Sequence, residues 1–333
     1  MRSRALALVA VTAACLTATP VLGPAVAETI SSSTCPSVPR GVHRYAPGSG
    51  KTVALTFDDG PGRSTPHILR ILANAHVEAT FFNLGMNEAA MPHLVRAEHT
   101  SGYALGDHTW DHKDLSSLDA TAQGREIDRE RKEQASLTGE QSCLLRPPYG
   151  TYDATTLELA QERGMRVWNW SVDTEDWKAS GSGDSYWVHR IISRAEAGGS
   201  LQHPVVLMHN QTGGNPATVA ALPAVIKYYR AHGYSFVDLY GHTGQPIINR
   251  ISPSSGPLRG HILVTITGHG FEGVRAVRFG TVNGWSINVE SNRRLTVISP
   301  PHAEGRIHIR VITTFGRSSP SAADDFRYVR ENP

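Results

Sequence analysis

The feature that most constrains the fold is a regular alternation of strand-like and helix-like segments between residues 51 and 241. Seven short runs rich in β-branched and aromatic residues are predicted strands: Val53–Phe57, Ala79–Asn83, Tyr103–His108, Leu144–Arg146, Arg166–Trp170, Val205–His209 and Ser235–Leu239. Five stretches between them are predicted helices: Pro66–His76, Ala120–Thr138, Thr155–Arg163, Ser185–Ala197 and Thr218–His232. This alternation favours a parallel α/β sheet, and seven strands favour a barrel related to the (β/α) type.

The pattern changes after the short segment 242–245, which we interpret as a linker. Helical stretches stop, and turn residues separate short alternating runs at close spacing. These runs are Ile262–Thr267, Val274–Phe279, Leu295–Ile298 and Ile307–Val311. Residues 246–330 are therefore predicted to form a small all-β sandwich.

The amino terminus has the three parts of a secretory signal peptide. Arg2 and Arg4 precede an apolar run, and small residues follow at 25–27. Residues 1–27 are therefore predicted to be removed, with an uncleaved membrane anchor as the alternative. Residues 28–50 are rich in Ser, Pro and Gly and are interpreted as a lead-in. We expect a secreted protein without stable membrane insertion.

Removal of the signal peptide leaves a chain without net charge. The formal charge of +2 becomes 2 − 2 = 0, because residues 1–27 carry two arginines and no acid. A neutral chain has no bulk attraction to nucleic acid or to an acidic polymer, and we expect no nucleic-acid partner. Cys35 and Cys143 remain, and an exported protein can pair them, but sequence separation alone does not show whether they meet.

Two motifs together predict a metal site. Adjacent carboxylates at Asp58 and Asp59 repel each other unless a cation is nearby, although an Asp-Asp-Gly turn is the simple alternative. His108 and His112 are four residues apart, which would place both imidazoles on one face of a helical turn. One of the two aspartates with both histidines gives three ligands and open positions, as in a catalytic site. Zn²⁺ suits this donor set best, and Co²⁺, Ni²⁺ or Mn²⁺ could substitute.

Two further motifs supply candidate polar and aromatic groups. Arg146 can clamp a carboxylate bidentately, and the backbone N–H of Tyr149 can point at an oxyanion. Trp177 can stack on a sugar ring, with a core tryptophan as the alternative.

Position, more than residue type, connects these motifs. Thr56–Gly60, His108–His112, Arg146–Gly150, Asp173–Trp177 and Leu207–His209 each close or follow a predicted strand. The carboxyl ends of parallel strands share one face of a barrel, and that face carries the active site. The five motifs are therefore expected to meet in one pocket.

In this order, the five motifs closely resemble those of the polysaccharide deacetylases of carbohydrate esterase family 4, the NodB-homology domain. The resemblance covers about residues 50–240 and implies a distorted seven-stranded (β/α) barrel over residues 51–241. It also implies a metal-dependent hydrolase that acts on acetylated polysaccharides.

The resemblance implies a role for each matching residue. Asp58 would be the base that deprotonates a metal-bound water, held by Arg146. The metal ligands would be Asp59, His108 and His112. The Tyr149 N–H would help to stabilise the oxyanion. His209 would be the acid that protonates the leaving amine, tuned by an acid of the fourth motif, Asp176 or Asp173.

The carboxyl-terminal region is similar to an IPT/TIG domain, an immunoglobulin-like sandwich. The similarity runs from Pro246 to Tyr328 and includes Val264–Gly268 and Val277–Gly280. By analogy of fold alone, this region would associate the enzyme with a cell wall or polymer, or act as a spacer.

Three functions remain open at this stage. The first is a deacetylase of N-acetylglucosamine units in peptidoglycan or chitin. The second is an acetylxylan esterase with the same site, and the third is a non-catalytic wall-binding protein. His209 fits amide cleavage, because an amine leaving group needs a proton more than an alkoxide does.

Overall fold

The computed structural model describes residues 35, 37–179, 181–271, 273–313 and 316–330. The predicted signal peptide and residues 28–34 of the predicted lead-in lie outside the described part of the chain. Within that part, no helix combines the length and apolar character that a bilayer span requires.

In the described part of the chain, nine parallel strands form one curled sheet. They are β1 Val42–His43, β2 Thr52–Gly60, β3 Ala79–Asn83, β4 Ala104–Asp107, β5 Leu144–Leu145, β6 Arg166–Trp168, β7 Val172–Asp173, β8 Val205–His209 and β9 Ser235–Phe236. The spatial order is β1-β6-β5-β4-β3-β2-β8-β7, and β9 pairs with β2. Just after β1, Tyr45 forms a bridge with Pro204, so this segment spans the gap between β6 and β8. The predicted barrel-like α/β fold is confirmed.

Helices cover the outside of this sheet: α1 Thr65–Ala75, α2 Gly85–Ala90, α3 Pro92–Thr100, α4 Ala120–Thr138, α5 Ala154–Glu162, α6 Ser185–Ala197 and α7 Pro216–Ala231. Helix α4 has the bounds that the sequence predicted, because a capping residue lies at each end. Asp119 accepts a hydrogen bond from the Ala122 N–H, and Gly139 ends the helix at a left-handed φ of 74°. Two helices, α2 and α3, were not predicted.

The central strands β2 and β8 carry the barrel core. Val53, Leu55, Phe57, Val206 and Met208 are fully buried and pack with side chains of α1 and α7. Strands covered on both faces are nearly continuous apolar runs, as these are. Their ionisable residues, Asp58, Asp59 and His209, lie at the carboxyl ends, where the core stops.

The second region is mostly antiparallel. Its strands are β10 Ile247–Ser252, β11 Ser255–Pro257, β12 Leu263–His269, β13 Val274–Phe279, β14 Val282–Asn283, β15 Trp285–Ser291, β16 Arg294–Ile298, β17 Gly305–Thr313, β18 Gly316–Arg317 and β19 Asp325–Val329. Strands β10, β12, β16 and β15 form one sheet, and the other six form the second. A separate apolar core includes Val264, Phe279 and Phe326. The predicted all-β region is confirmed.

The sandwich contacts the amino-terminal end of the barrel strands. Its β15–β16 turn places the Asn292 side chain 2.6 Å from the Ser101 carbonyl oxygen, just before β4. Arg293 Nη1 lies 3.0 Å from Glu140 Oε2, shortly before β5. Only 15% of the Arg293 side chain is exposed. The sandwich is therefore attached at the end of the barrel opposite the carboxyl ends of the strands.

The two cysteines that the sequence left open form a disulfide. The Cα atoms of Cys35 and Cys143 are 5.5 Å apart. Cys143 directly precedes β5, so the bond ties the lead-in to the sheet. Val42–His43, also within the lead-in, pairs with β6 as strand β1.

Candidate active site

The five motifs meet at the carboxyl ends of the barrel strands. The register sets Asp58 of β2 directly beside His209 of β8. The cavity between them has a volume of about 430 Å³. Its lining consists of carboxylates, imidazoles and aromatic rings together with one leucine and one glutamine: Asp58, Asp59, His108, His112, Tyr149, Trp170, Asp173, Trp177, Leu207, His209 and Gln211.

Asp58 is a buried carboxylate held by Arg146. It is 2% exposed, and Arg146 Nη1 donates to its Oδ1 at 2.7 Å. The same nitrogen donates to the Thr56 hydroxyl at 2.8 Å, while the other guanidinium nitrogens reach backbone carbonyls. The predicted bidentate clamp is wrong, because those carbonyls occupy the rest of the guanidinium. One Asp58 oxygen, Oδ2, is left to face His108 Nε2 at 3.7 Å.

Asp59, His108 and His112 converge on one point. Asp59 Oδ1 is 3.4 Å from His108 Nε2 and 3.3 Å from His112 Nε2. The spacing of the two histidines predicted that both imidazoles lie on one face of a helical turn, and this prediction is wrong. The segment is irregular, and left-handed residues at Thr109 and His112 turn the chain so that both rings point inward. Asp59 is also left-handed, with φ of 65°, and a shift in strand register falls at this residue.

The protonation of this group depends on its neighbours. Burial would raise the pKa of Asp59, but the adjacent His108 and the charges of the other surrounding imidazoles hold it well below its usual range. Burial would lower the pKa of His108, but the charges of Asp58 and Asp59 outweigh that effect and raise it. Burial, followed by the charge of His108, lowers the pKa of His112.

The donor set fits a divalent cation. His108 Nδ1 donates to the Arg146 carbonyl at 2.6 Å, so in the neutral ring Nε2 presents a lone pair towards Asp59. Asp59 Oδ1 is buried and makes no hydrogen bond. His108, His112 and Asp59 each offer one ligand atom, and the three atoms lie within 4.8 Å of one another, so they could hold one metal ion. One carboxylate and two imidazoles suit Zn²⁺ or a related transition metal.

His209 is held by Asp176 on the opposite side of the cavity. Asp176 Oδ1 is 2.7 Å from His209 Nδ1, and Asp176 Oδ2 accepts from the His209 backbone N–H at 2.8 Å. Burial would lower the pKa of His209, but the charge of Asp176 and its hydrogen bond raise it to about 9. Asp173 Oδ1 instead accepts from the Glu175 N–H at 2.8 Å. Of the two acids that the sequence left open, Asp176 is the one that contacts His209.

Aromatic side chains form the outer wall. Tyr149 is 64% exposed, and its ring lies edge-on to His112 with centroids 4.6 Å apart. Trp177 is 49% exposed, so the alternative of a core tryptophan is wrong. Trp170, which the sequence did not single out, lies in the same wall.

Sequence reasoning missed the residues that hold Asp176 from α7. Asn215 Nδ2 donates to Asp176 Oδ2 at 3.1 Å, and the Thr218 hydroxyl donates to the same oxygen. Asp176 is fully buried, and these donors with the two from His209 satisfy it. Their separation of about 40 residues from Asp176 in the sequence offered no signal.

Two family models match the chain. Residues 45–168 match the polysaccharide deacetylase model, and residues 246–328 match the IPT/TIG domain model. The first covers three of the five motifs, and the motifs Asp173–Trp177 and Leu207–His209 lie beyond its end.

Curated relatives are similar over the barrel. The chain is 35% identical over 215 residues to the peptidoglycan-N-acetylglucosamine deacetylase PgdA of Listeria monocytogenes, which is 63% of this chain but only 42% of that protein. It is 35% identical over 205 residues to a peptidoglycan-N-acetylglucosamine deacetylase of Bacillus cereus, covering 60% of this chain and 72% of the relative.

A solved structure has a similar barrel. The family 4 carbohydrate esterase from Streptomyces lividans in complex with acetate matches with a TM-score of 0.50 and 30% identity. The match covers 56% of this chain and 92% of the esterase.

Proposed function

Because the chain belongs to the polysaccharide deacetylase family of hydrolases, we propose that it is a secreted, metal-dependent deacetylase acting on N-acetylglucosamine units of a polysaccharide. Relatives named as peptidoglycan-N-acetylglucosamine deacetylases make a peptidoglycan-type polymer the first candidate. The observation that carries the proposal is a buried carboxylate and a buried imidazole, Asp58 and His209, which lie beside each other on neighbouring strands and line one cavity.

Asp59, His108 and His112 would hold the metal. A divalent cation bound there would polarise the acetyl carbonyl and lower the pKa of a water from 15.7 towards about 7. The Nδ1–H of His108, directed to the Arg146 carbonyl, fixes the ring so that Nε2 faces the site.

Asp58 is the proposed base. Its Oδ1 accepts a hydrogen bond from Arg146, and its Oδ2 faces the cavity. It takes a proton from the attacking water as the new C–O bond forms. Because Arg146 also donates to Thr56, the carboxylate is fixed in position before the substrate binds.

His209 is the proposed acid. Asp176 favours the imidazolium, so Nε2 carries a proton at neutral pH. It donates this proton to the nitrogen as the C–N bond breaks, and acetate and a free amine are released. Base and acid must hold opposite protonation states at one pH, and Asp176 meets this need by keeping His209 protonated.

Tyr149 and Trp177 would contact the substrate. The left-handed backbone of Tyr149, with φ of 61°, places its peptide group at the mouth of the cavity, where its N–H would stabilise an oxyanion. The exposed face of Trp177 would stack on a sugar ring.

Residues 51–241 would be the catalytic domain and residues 246–330 a sandwich domain, joined at 242–245. O-deacetylation of acetylxylan uses the same groups, but an alkoxide leaves more readily than an amine and depends less on a group that is protonated at neutral pH. The raised pKa of His209 therefore favours amide cleavage.

The test is acetate release from peptidoglycan, chitooligosaccharides and acetylxylan, with and without a chelator. We expect release from an N-acetylated polymer, loss of activity on chelation, and recovery with Zn²⁺ or Co²⁺. Release from acetylxylan alone would replace the proposal with the esterase. Full activity after verified metal loss would exclude the metal site from catalysis.

A further inference from the structure

The neutral overall charge conceals two oppositely charged regions. Residues 51–241 contain 17 Lys and Arg against 23 Asp and Glu, a net charge of −6. Residues 246–330 contain 11 arginines, no lysine and 5 acids, a net charge of +6. The sandwich can therefore attract an acidic polymer even though the chain without its signal peptide has no net charge.

Five of these arginines lie on one face of the six-stranded sheet. The strand register sets Arg278 opposite Arg310, and Arg306 opposite Arg327. Arg317 lies opposite Ile312 on the same face. We call the outer surface formed by these five residues the arginine face: Arg278, Arg306, Arg310, Arg317 and Arg327.

Alternation along β17 shows that this face points outward. Ile307, Ile309 and Val311 pack in the sandwich core, so Arg306 and Arg310 point away from it. Arg278, Arg306, Arg317 and Arg327 are exposed, and Arg310 is half-buried. The face is therefore accessible to a large partner.

This arrangement brings like charges together. Like charges placed directly opposite across an antiparallel pair destabilise a sheet, and here two such pairs occur, one between β13 and β17 and one between β17 and β19. Arg278 and Arg310 also donate to neutral groups, the Asn283 side chain and the Ser318 carbonyl, which leave their charges unbalanced. Among the described residues of these strands, Asp325 is the one carboxylate on this face, where it meets Arg306 at 3.2 Å and His308 at 3.1 Å. One carboxylate does not balance five guanidinium groups.

We propose that the arginine face binds the carboxylates of a peptide-bearing glycan of the peptidoglycan type and holds the enzyme on its polymer. This rests on the proposed function. A planar guanidinium matches a carboxylate in a two-point fork, whereas lysine, absent from this region, does not. Arg306 and Arg310 are roughly 13 Å apart along β17, so the face can contact several carboxylates of a repeating polymer.

The test is co-sedimentation of the full chain with purified peptidoglycan freed of its attached phosphodiester polymers. We expect retention that weakens with salt, and little retention on uncharged chitin. Converting the peptidoglycan carboxylates to amides should abolish it. Equal retention on the amidated polymer would overturn the proposal. Binding to DNA but not to peptidoglycan would do the same and indicate a nucleic-acid surface.

The variant Arg278→Gln/Arg327→Gln removes one guanidinium from each opposed pair. Retention on peptidoglycan should fall about three- to tenfold. The melting temperature should not fall, because like-charge repulsion is relieved. The matched control, Arg250→Gln/Arg294→Gln, removes the same charge from exposed positions on the other sheet and should keep retention. Equal losses in both variants would reduce the effect to net charge and overturn the proposal.

Both variants should release acetate from soluble N-acetylated oligosaccharides at the unmodified rate. This measurement separates the two proposals. Unchanged retention with normal release rejects the arginine face alone, whereas absence of release from the unmodified chain rejects the deacetylase.

Discussion

The barrel and the sandwich place charged side chains in opposite ways. At the barrel mouth, Asp58, Arg146 and Asp176 are almost completely buried, and each is fixed by specific partners. On the arginine face of the sandwich, four of the five arginines are exposed, and two pairs of arginines lie directly opposite each other. Buried pairs fix distances and protonation states, which proton transfer needs. Exposed charges tolerate variation in the partner, which attachment to an irregular polymer needs.

The largest expected effect is in the barrel. Asp58→Asn should lower the rate of acetate release about a thousandfold, because the amide cannot accept a proton. The amide oxygen can still accept from Arg146, so the fold should persist. Bound zinc per chain, measured by elemental analysis, should be unchanged. A rate within tenfold of the unmodified enzyme would remove Asp58 from the mechanism.

A change of intermediate size is expected at His209. Asp176→Asn should lower its pKa from about 9 by more than one unit, because the raising charge is removed. Imidazole NMR of the metal-free protein would measure this. Asp173→Asn is the control and should leave His209 unchanged, since Asp173 contacts the Glu175 N–H instead. A His209 pKa that stays near 9 without Asp176 would contradict the assignment.

The raised pKa of His209 also predicts how the free energy of unfolding depends on pH. The pKa of folded His209 lies above its unfolded value of 6.5, so its stabilising contribution is complete below pH 6.5 and is lost as pH rises through about 9. The full contribution is about 3 kcal/mol. Unfolding of the metal-free protein should show this loss, and the Asp176→Asn variant should not.

The smallest effect is expected where the two regions meet. Arg293→Ala should lower the free energy of unfolding by about 1–3 kcal/mol, because it removes hydrogen bonds to Glu140 and to the His99 carbonyl. Its neighbour Arg294 pairs with Glu290 on the surface, so Arg294→Ala should cost less than about 1 kcal/mol. Thermal unfolding measures both. Equal costs would mean that the contact with the barrel adds no stability.

The barrel and the sandwich also differ in how far the sequence predicts them. In the barrel, strands β3 and β8 and helices α4 and α6 have their predicted bounds, because apolar runs and capping residues mark them. Helices α2 and α3 were missed, since α3 buries a glutamate, Glu98, whose pKa burial raises to about 8. A buried acid breaks the apolar periodicity on which helix prediction depends.

In the sandwich, strands such as β15 were missed for a related reason. Most residues of Trp285–Ser291 are exposed, so the strand shows no alternation of buried and exposed side chains. Hydrogen bonds to β16 hold this segment as a strand, although its side chains do not alternate between buried and exposed.

The candidate site followed from the sequence because parallel strands bring their ends together, whatever the loops do. The sequence did not predict the direction and the hydrogen-bond partners of each side chain in the site. The inward turn of His112 depends on left-handed backbone at two residues, and the single contact of Arg146 with Asp58 depends on carbonyls from β6 and the loop after it. Such details arise from packing, which spacing does not encode.

The sandwich docks at the amino-terminal ends of β4 and β5. This position determines which polymer chains the active site can contact. The contact with the sandwich and the candidate site lie at opposite ends of the barrel strands, separated by about the 30 Å length of a nine-residue strand such as β2. An enzyme held through its sandwich would act on a glycan that lies beyond the carboxyl ends of the barrel strands. The glycan strand that it holds and the glycan strand that it modifies would then be two different strands, so the meshwork itself, rather than one polymer, would be the true substrate.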